Sequence, residues 1–101
     1  MVFYLVGNDS DFQDSQMRSF NVGGVEVMVV KIAGNYYAIG NVCTHRDCPL
    51  SDGFLEGYVV TCECHGFQFD VTTGEVVGIP LIDKEPSYEV KMEDGKVSVR
   101  V

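Results

Sequence analysis

The sequence predicts an all-β protein, built as an antiparallel sandwich or a partly open barrel. Short runs of apolar residues alternate with polar ones along the chain, which is the pattern of half-buried strands. Eleven glycines separate these runs and provide turns. The dipeptide Asp94-Gly95 is typical of a tight hairpin. Closely spaced strands joined by glycine-rich turns favour this fold class over a helical or mixed one.

The first part of the chain is predicted to begin with a strand at 2–6. The polar, acidic segment 10–17 contains the one helix candidate, of about one turn. Residues 25–30 alternate in a stretch rich in valine, so we expect a strand there. The residues Ala33-Gly34-Asn35 then predict a turn into a further strand at 36–39.

The second part of the chain is predicted to contain a strand at 57–62 and a C-terminal hairpin. Apolar and polar residues alternate at 88–93 and again at 97–101. Asp94-Gly95 lies between these two strands and supplies the two positive-φ positions that a tight hairpin turn requires.

Length and charge restrict the functional class. A chain of 101 residues predicts one domain, spanning 1–101. Seven Lys and Arg against 15 Asp and Glu give a formal charge of −8, so the basic patch that nucleic acid binding needs is not expected. The most apolar stretch, 25–33, is far shorter than the ~20 residues of a spanning helix. We therefore expect a monomeric cytoplasmic protein with no nucleic acid or membrane partner.

Four cysteines and two histidines all lie between positions 43 and 65, in two predicted loops at 41–53 and 62–68. The first loop contains Cys43-Thr44-His45, and the second contains Cys62-Glu63-Cys64-His65. Two loops that each offer a thiolate and an imidazole can close around a metal site. Zinc fingers usually pair Cys with Cys and His with His, so the mixed halves C-x-H and C-x2-H argue against zinc. A zinc site, or a role without any ligand, remains the alternative.

This pattern resembles the signature of the Rieske iron–sulfur family. In that family two cysteines hold one iron of a 2Fe-2S cluster and two histidines hold the other. The resemblance implies that Cys43 and Cys62 are the thiolate ligands of one 2Fe-2S cluster. It implies that His45 and His65 are the imidazole ligands. It also implies a Rieske-like fold in which the two loops form a cluster-binding subdomain.

The resemblance extends over residues 25–101. The stretches 66–70 and 73–75 resemble the family's H-G-x-x-F-D…T-G-x pattern, and Pro80-Leu81 resembles part of its C-terminal half. The residues that it places around the cluster are Gly66, Phe67, Phe69 and Pro80. Gly66 is expected to let the backbone approach the cluster, with a plain turn glycine as the alternative.

Two cysteines remain after the ligands are assigned. Cys48 and Cys64 match the cysteines that form a disulfide between the cluster loops in Rieske subunits of respiratory cytochrome bc complexes, with two free thiols as the alternative. The chain departs from that respiratory pattern at Phe67 and Phe69. In the respiratory subunits a Ser and a Tyr occupy these two places, and their hydroxyls donate hydrogen bonds to sulfur. Together with the negative charge of Glu63, this predicts a reduction potential in the lower part of the Rieske range of ~−150 to +300 mV.

The resemblance implies a soluble Rieske-type ferredoxin without an active site of its own. Such a protein passes one electron at a time from a reductase to an oxygenase or another redox acceptor. The acidity of the chain suits attraction toward a basic patch on such a partner, with plain solubility as the alternative explanation. One alternative is the small Rieske subunit of a larger oxidoreductase such as nitrite reductase. The other is a module with a structural zinc.

Overall fold

The computed structural model describes residues 2–42, 48–63, 66–78 and 84–101. The strands of this part are β1 (Phe3–Asn8), β2 (Met17–Val22), β3 (Val25–Ile32), β4 (Asn35–Gly40), β5 (Phe54–Glu56), β6 (Val59–Thr61), β7 (Gln68–Asp70), β8 (Val76–Val77), β9 (Ser87–Glu93) and β10 (Lys96–Arg100). Two short 3-10 turns lie at Asp9–Asp11 and Leu50–Asp52. Within these four ranges, no helix has the length and apolar character needed to cross a membrane.

The strands form two antiparallel sheets, which confirms the predicted fold class. The larger sheet has the strand order β1-β10-β9-β4-β3-β2 and curls into a nearly closed barrel. The smaller sheet has the order β5-β6-β7-β8. In the chain, the smaller sheet lies between β4 and β9, and these two strands pair with each other at Ala38–Tyr88 and Ile39–Ser87. The smaller sheet is therefore an insertion between two neighbouring strands of the barrel.

Strand β3 is buried on both faces, because it separates two hydrophobic cores. Val27 and Val29 lie in the core of the barrel. Met28, Val30 and Ile32 lie in a second core, which also contains Val60 and Phe69 from the smaller sheet. The other buried residues of the barrel core are Phe12, Val22, Ala38, Val97 and Val99. Apolar residues at odd positions of β3 thus pack in the barrel core and those at even positions pack against the smaller sheet, so this one strand connects the two cores.

Two predicted turns are confirmed by the backbone. Asp94 and Gly95 have φ values of 53° and 74°, and they join β9 to β10 with Glu93 paired to Lys96. Ala33 and Gly34 have φ values of 53° and 83° and join β3 to β4. Both pairs of residues occupy the left-handed region, as a two-residue hairpin turn of this type requires.

The predicted helix at 10–17 is wrong. The segment forms a 3-10 turn at Asp9–Asp11, and strand β2 begins already at Met17. Ser15 has a φ of 65°, and its N–H donates to the Lys31 carbonyl oxygen at 2.6 Å, so a helix cannot pass through it. The apolar Phe12 is buried in the barrel core, where its ring lies 5.4 Å from that of Tyr36. The burial of the Phe12 ring in the barrel core therefore determines the path of this segment, and a helix does not form.

The strand prediction was incomplete. It omitted β2, and it omitted β5, β7 and β8, which have only two or three residues each and so carry no readable alternation. The strand predicted at 57–62 is present as the shorter β6, because Gly57 has a φ of 61° and forms a turn with Tyr58.

Three polar side chains hold the N-terminal segment against β3 and β4. The Tyr36 hydroxyl donates a hydrogen bond to Asp9 Oδ1, and Lys31 Nζ lies 3.2 Å from the same oxygen. These donors lower the pKa of the Asp9 carboxyl below its ordinary value of 3.8. Burial and the hydrogen bond to Asp9 raise the pKa of Tyr36 above its ordinary value. We name this group the Asp9 latch.

The Asp9 latch predicts a pH-dependent loss of stability in Asp9→Asn. Because the folded-state pKa of Asp9 is lowered, its contribution is complete above the unfolded value of about 3.8 and is lost as the pH falls through the lowered value. Urea unfolding near pH 6 should show Asp9→Asn less stable than the parent protein, and the difference should shrink below about pH 3. Asp14→Asn changes the charge equally, so an equal loss in that variant would contradict the role of the latch.

Candidate metal centre

The second predicted loop closes the hairpin between β6 and β7. Thr61 and Gln68 form the last strand pair before it. Beyond that pair, the Cys62 N–H donates to the Phe67 carbonyl oxygen at 2.7 Å. The Gly66 N–H donates to the Cys62 carbonyl oxygen at 2.9 Å. Both backbone groups of Cys62 are therefore bonded within the loop, and its position is fixed by the hairpin.

The first predicted loop is closed in a similar way. Val42 and Pro49 form an isolated antiparallel bridge at its base. Beside this bridge the Leu50 N–H donates to the Asn41 carbonyl oxygen at 2.6 Å. Cys43 follows Val42 in sequence, just as Cys62 follows the paired Thr61. Each predicted thiolate ligand thus comes directly after the residue that closes the base of its loop.

The described residues predicted for the site share one environment. Cys48, Cys62 and Phe69 are buried in the second core, and Phe67 packs against it. Cys62 is 1% exposed and Cys48 is 6% exposed. A buried thiol at the end of a hairpin fits the thiolate donor that an iron–sulfur cluster needs. The roles of Cys62 as a ligand and of Cys48 as a disulfide partner stay predictions.

The other predicted site residues lie outside the described residues. They are Cys43, His45, Cys64, His65 and Pro80. The complete set of four ligands and the pairing of Cys48 with Cys64 therefore stay predictions. Within the described ranges, no group of three or more potential ligands meets, as expected when only Cys62 of the four falls within them.

Gly66 is required by the conformation of its own backbone. Its φ is 75°, in the left-handed region that favours glycine. A Cβ built at Gly66 would have no atom within 4 Å among the described residues. The positive φ accounts for a glycine at this position, and the approach of its backbone to a cluster stays a prediction.

The structure adds Asn41, which the sequence did not single out. Asn41 is 3% exposed, and its Oδ1 accepts a hydrogen bond from the Ser51 N–H at 3.0 Å. Together with the bond from Leu50 to its carbonyl oxygen, this ties both ends of the first loop to one buried residue. The one available signal was a polar residue placed two positions before Cys43.

Known proteins resemble this chain over nearly its whole length. The family model of the Rieske [2Fe-2S] domain matches residues 2–89. The ferredoxin component of the naphthalene 1,2-dioxygenase/salicylate 5-hydroxylase systems of Ralstonia sp. is 35% identical over 91 residues. That alignment covers 90% of this chain and 88% of the relative.

Solved structures give the same result. The ferredoxin of carbazole 1,9a-dioxygenase from Nocardioides aromaticivorans IC177 has a TM-score of 0.92 at 28% identity, covering 98% of this chain and 97% of the other. A chain in the complex of reduced oxygenase and oxidised ferredoxin of carbazole 1,9a-dioxygenase has a TM-score of 0.90 at 33% identity. That match covers 97% of this chain and 92% of the other.

The role of Asn41 predicts a loss of stability in Asn41→Ala. The variant removes the acceptor of the Ser51 N–H in a buried place, which should cost about 1–3 kcal/mol in the free energy of unfolding. Asn21 makes the same kind of bond to the Gly24 N–H in an exposed turn, so Asn21→Ala should cost less than about 0.5 kcal/mol. Chemical denaturation of both variants measures the difference. Equal costs would show that burial of Asn41 contributes nothing.

Proposed function

This chain belongs to the Rieske [2Fe-2S] domain family, and we propose that it is a one-electron carrier that serves an oxygenase. The observation that carries the proposal is the match to a ferredoxin component over 90% of this chain and 88% of that relative. The resemblance to a ferredoxin from a complex with its oxygenase adds the class of acceptor. A reductase would supply the electron, and the chain itself would be no enzyme.

We propose that the carrier holds one 2Fe-2S cluster through Cys43, Cys62, His45 and His65. Such a cluster, when bound, takes up and releases one electron. The contribution of the chain is a fixed and dry position for the sulfur of Cys62, which is 1% exposed and held by backbone bonds on both sides. Two neutral imidazoles in place of two thiolates remove negative charge beside the iron, so addition of an electron becomes easier.

We further propose a disulfide between Cys48 and Cys64 across the two loops. The burial of Cys48 in the same core as Cys62, which lies two positions before Cys64, supports this assignment. We also propose a monomeric protein of the cytoplasm, formed by a single domain over residues 1–101. The family match over residues 2–89 supports the single domain. A disulfide is unusual in the cytoplasm, so the redox state of Cys48 and Cys64 tests whether the proposed disulfide and the proposed compartment hold together.

Substitution of the two buried cysteines tests both assignments. Cys62→Ser should yield protein without the brown colour and without the electron paramagnetic resonance signal of a reduced Rieske cluster, because one thiolate ligand is lost. Cys48→Ser should keep both signals and lose at most about 3 kcal/mol of stability, because the cluster already joins the same loops. Metal analysis accompanies the spectra. Zinc in place of iron, or an intact signal in Cys62→Ser, would refute the proposed centre.

Phe69 tests the proposed origin of a low reduction potential. Phe69 is fully buried in the same core as Cys62 and offers no hydroxyl to sulfur. Phe69→Tyr adds a hydroxyl there, so protein-film voltammetry should show a higher potential than in the parent protein. Phe12→Tyr adds a hydroxyl in the barrel core instead and should leave the potential unchanged. A parent potential near the upper end of the ~−150 to +300 mV range would contradict the proposal.

A further inference from the structure

The negative charge of the chain is concentrated in one segment. Between Arg46 and Lys84 the sequence holds seven of its fifteen carboxylates and none of its Lys or Arg residues. The rest of the chain holds eight carboxylates and seven cations and is almost neutral. This acidic segment contains the whole smaller sheet, β5 to β8. This segment thus accounts for −7 of the formal charge of −8.

The ion pairs of the structure deepen this asymmetry. Within the described part of the chain, they join Lys31 to Asp9, Lys91 to Glu93 and Arg100 to Glu89, all outside the acidic segment. Three carboxylates outside the acidic segment, Asp9, Glu89 and Glu93, therefore have cations beside them. The smaller sheet offers exposed carboxylates, Glu56 among them, in a segment that has no cation of its own.

The outer face of the smaller sheet is partly apolar. Phe54 pairs with Thr61, Thr61 pairs with Gln68, and Gln68 pairs with Val77, so these side chains form one row across the sheet. The neighbouring row, from Leu55 to Val76, faces the second core instead. Phe54 is 66% exposed and Val77 is 40% exposed. A shallow cavity of about 250 Å³ lies between them.

Carboxylates border this row on the same face. Glu56, Val59 and Asp70 form the next row that points outward, again through direct strand pairing. The Thr72 N–H and hydroxyl donate to Asp70 Oδ1 at 2.8 and 2.6 Å, so this carboxylate has a fixed position. We name the two rows together the Phe54 face. It combines exposed apolar side chains at its ends with an acidic border formed by Glu56 and Asp70.

The Phe54 face adjoins the candidate metal centre through the backbone. Thr61, in the middle of the exposed row, directly precedes Cys62. Gln68, its partner in the row, directly follows Phe67, whose carbonyl oxygen accepts the Cys62 N–H. A protein seated on this face would therefore lie one residue from the proposed thiolate ligand.

We propose that the Phe54 face is a docking surface for a redox partner protein whose own contact patch is basic and presents an apolar side chain. Charge complementarity selects a basic partner, because the acidic segment contains no Lys or Arg to neutralise its carboxylates. The cavity between Phe54 and Val77 accepts the apolar side chain. This inference rests on the proposed carrier function and adds a surface formed by the strands of the smaller sheet.

Charge-reversal variants at two places test the electrostatic part. The cluster-loaded, reduced protein is mixed in a stopped-flow instrument with mitochondrial cytochrome c, a small basic one-electron acceptor, at low salt. Glu56→Lys should lower the second-order rate constant about fivefold, whereas Glu26→Lys, an equal charge change on the larger sheet, should lower it less than about twofold. The difference should vanish near 1 M salt, where the Debye length is about 3 Å. Equal effects of the two variants would overturn the inference.

Apolar variants test the contact itself. Phe54→Ser should lower the rate constant about threefold at high salt as well, because the loss is not electrostatic. Leu5→Ser removes a side chain that is equally exposed, at 63%, on β1 and should change nothing. Ferricyanide, which is small enough to need no docking surface, is the acceptor that tests the premise. An unreactive parent protein with ferricyanide would overturn the carrier function, and unaltered cytochrome c rates in Phe54→Ser would overturn the docking surface alone.

Discussion

The structure depends on the burial of β3 on both of its faces. A strand at the surface of a barrel normally has one apolar face, but β3 has valines toward the barrel core and Met28, Val30 and Ile32 toward the second core. Residues of both sets have no exposed surface, as Val27 and Met28 illustrate. Fully burying one such side chain stabilises a fold by roughly 1.5–3 kcal/mol. The smaller sheet therefore packs against the larger sheet through the apolar side chains of β3.

The candidate metal centre inherits its rigidity from this arrangement. Cys62 belongs to the same core as Met28 and Val30, so the predicted thiolate is anchored against β3, the strand that borders both cores. The base of the first loop is held by Asn41, directly beyond the end of β4, which pairs with β3. Both loops thus start from backbone that tertiary packing has already fixed. An electron carrier benefits from such fixed ligands, because little rearrangement accompanies a change of charge.

The sequence identified the family more completely than it predicted the individual strands. The C-x-H and C-x2-H pattern needs only spacing, and it was sufficient for the family. The hairpin at Asp94-Gly95 was predictable because its turn demands positive φ at both residues. The strands β5, β7 and β8 were not, since two or three residues give no period. The role of Asn41 and the replacement of a helix at 10–17 by buried Phe12 depend on tertiary contacts that no local pattern contains.

The pairing of β4 with β9 has a consequence for how such a protein can change over time. The Gly40 N–H donates to the Pro86 carbonyl oxygen at 2.9 Å, so the two ends of the insertion that carries the metal-binding loops lie side by side. A segment that leaves and re-enters a scaffold at one point can be lengthened, shortened or exchanged with little disturbance of the strands that frame it. The barrel is thus a scaffold that can remain constant, and residues 41–86 are an insertion that can vary. Substitutions within this insertion can change the redox properties and the choice of partner, while the barrel keeps its own core.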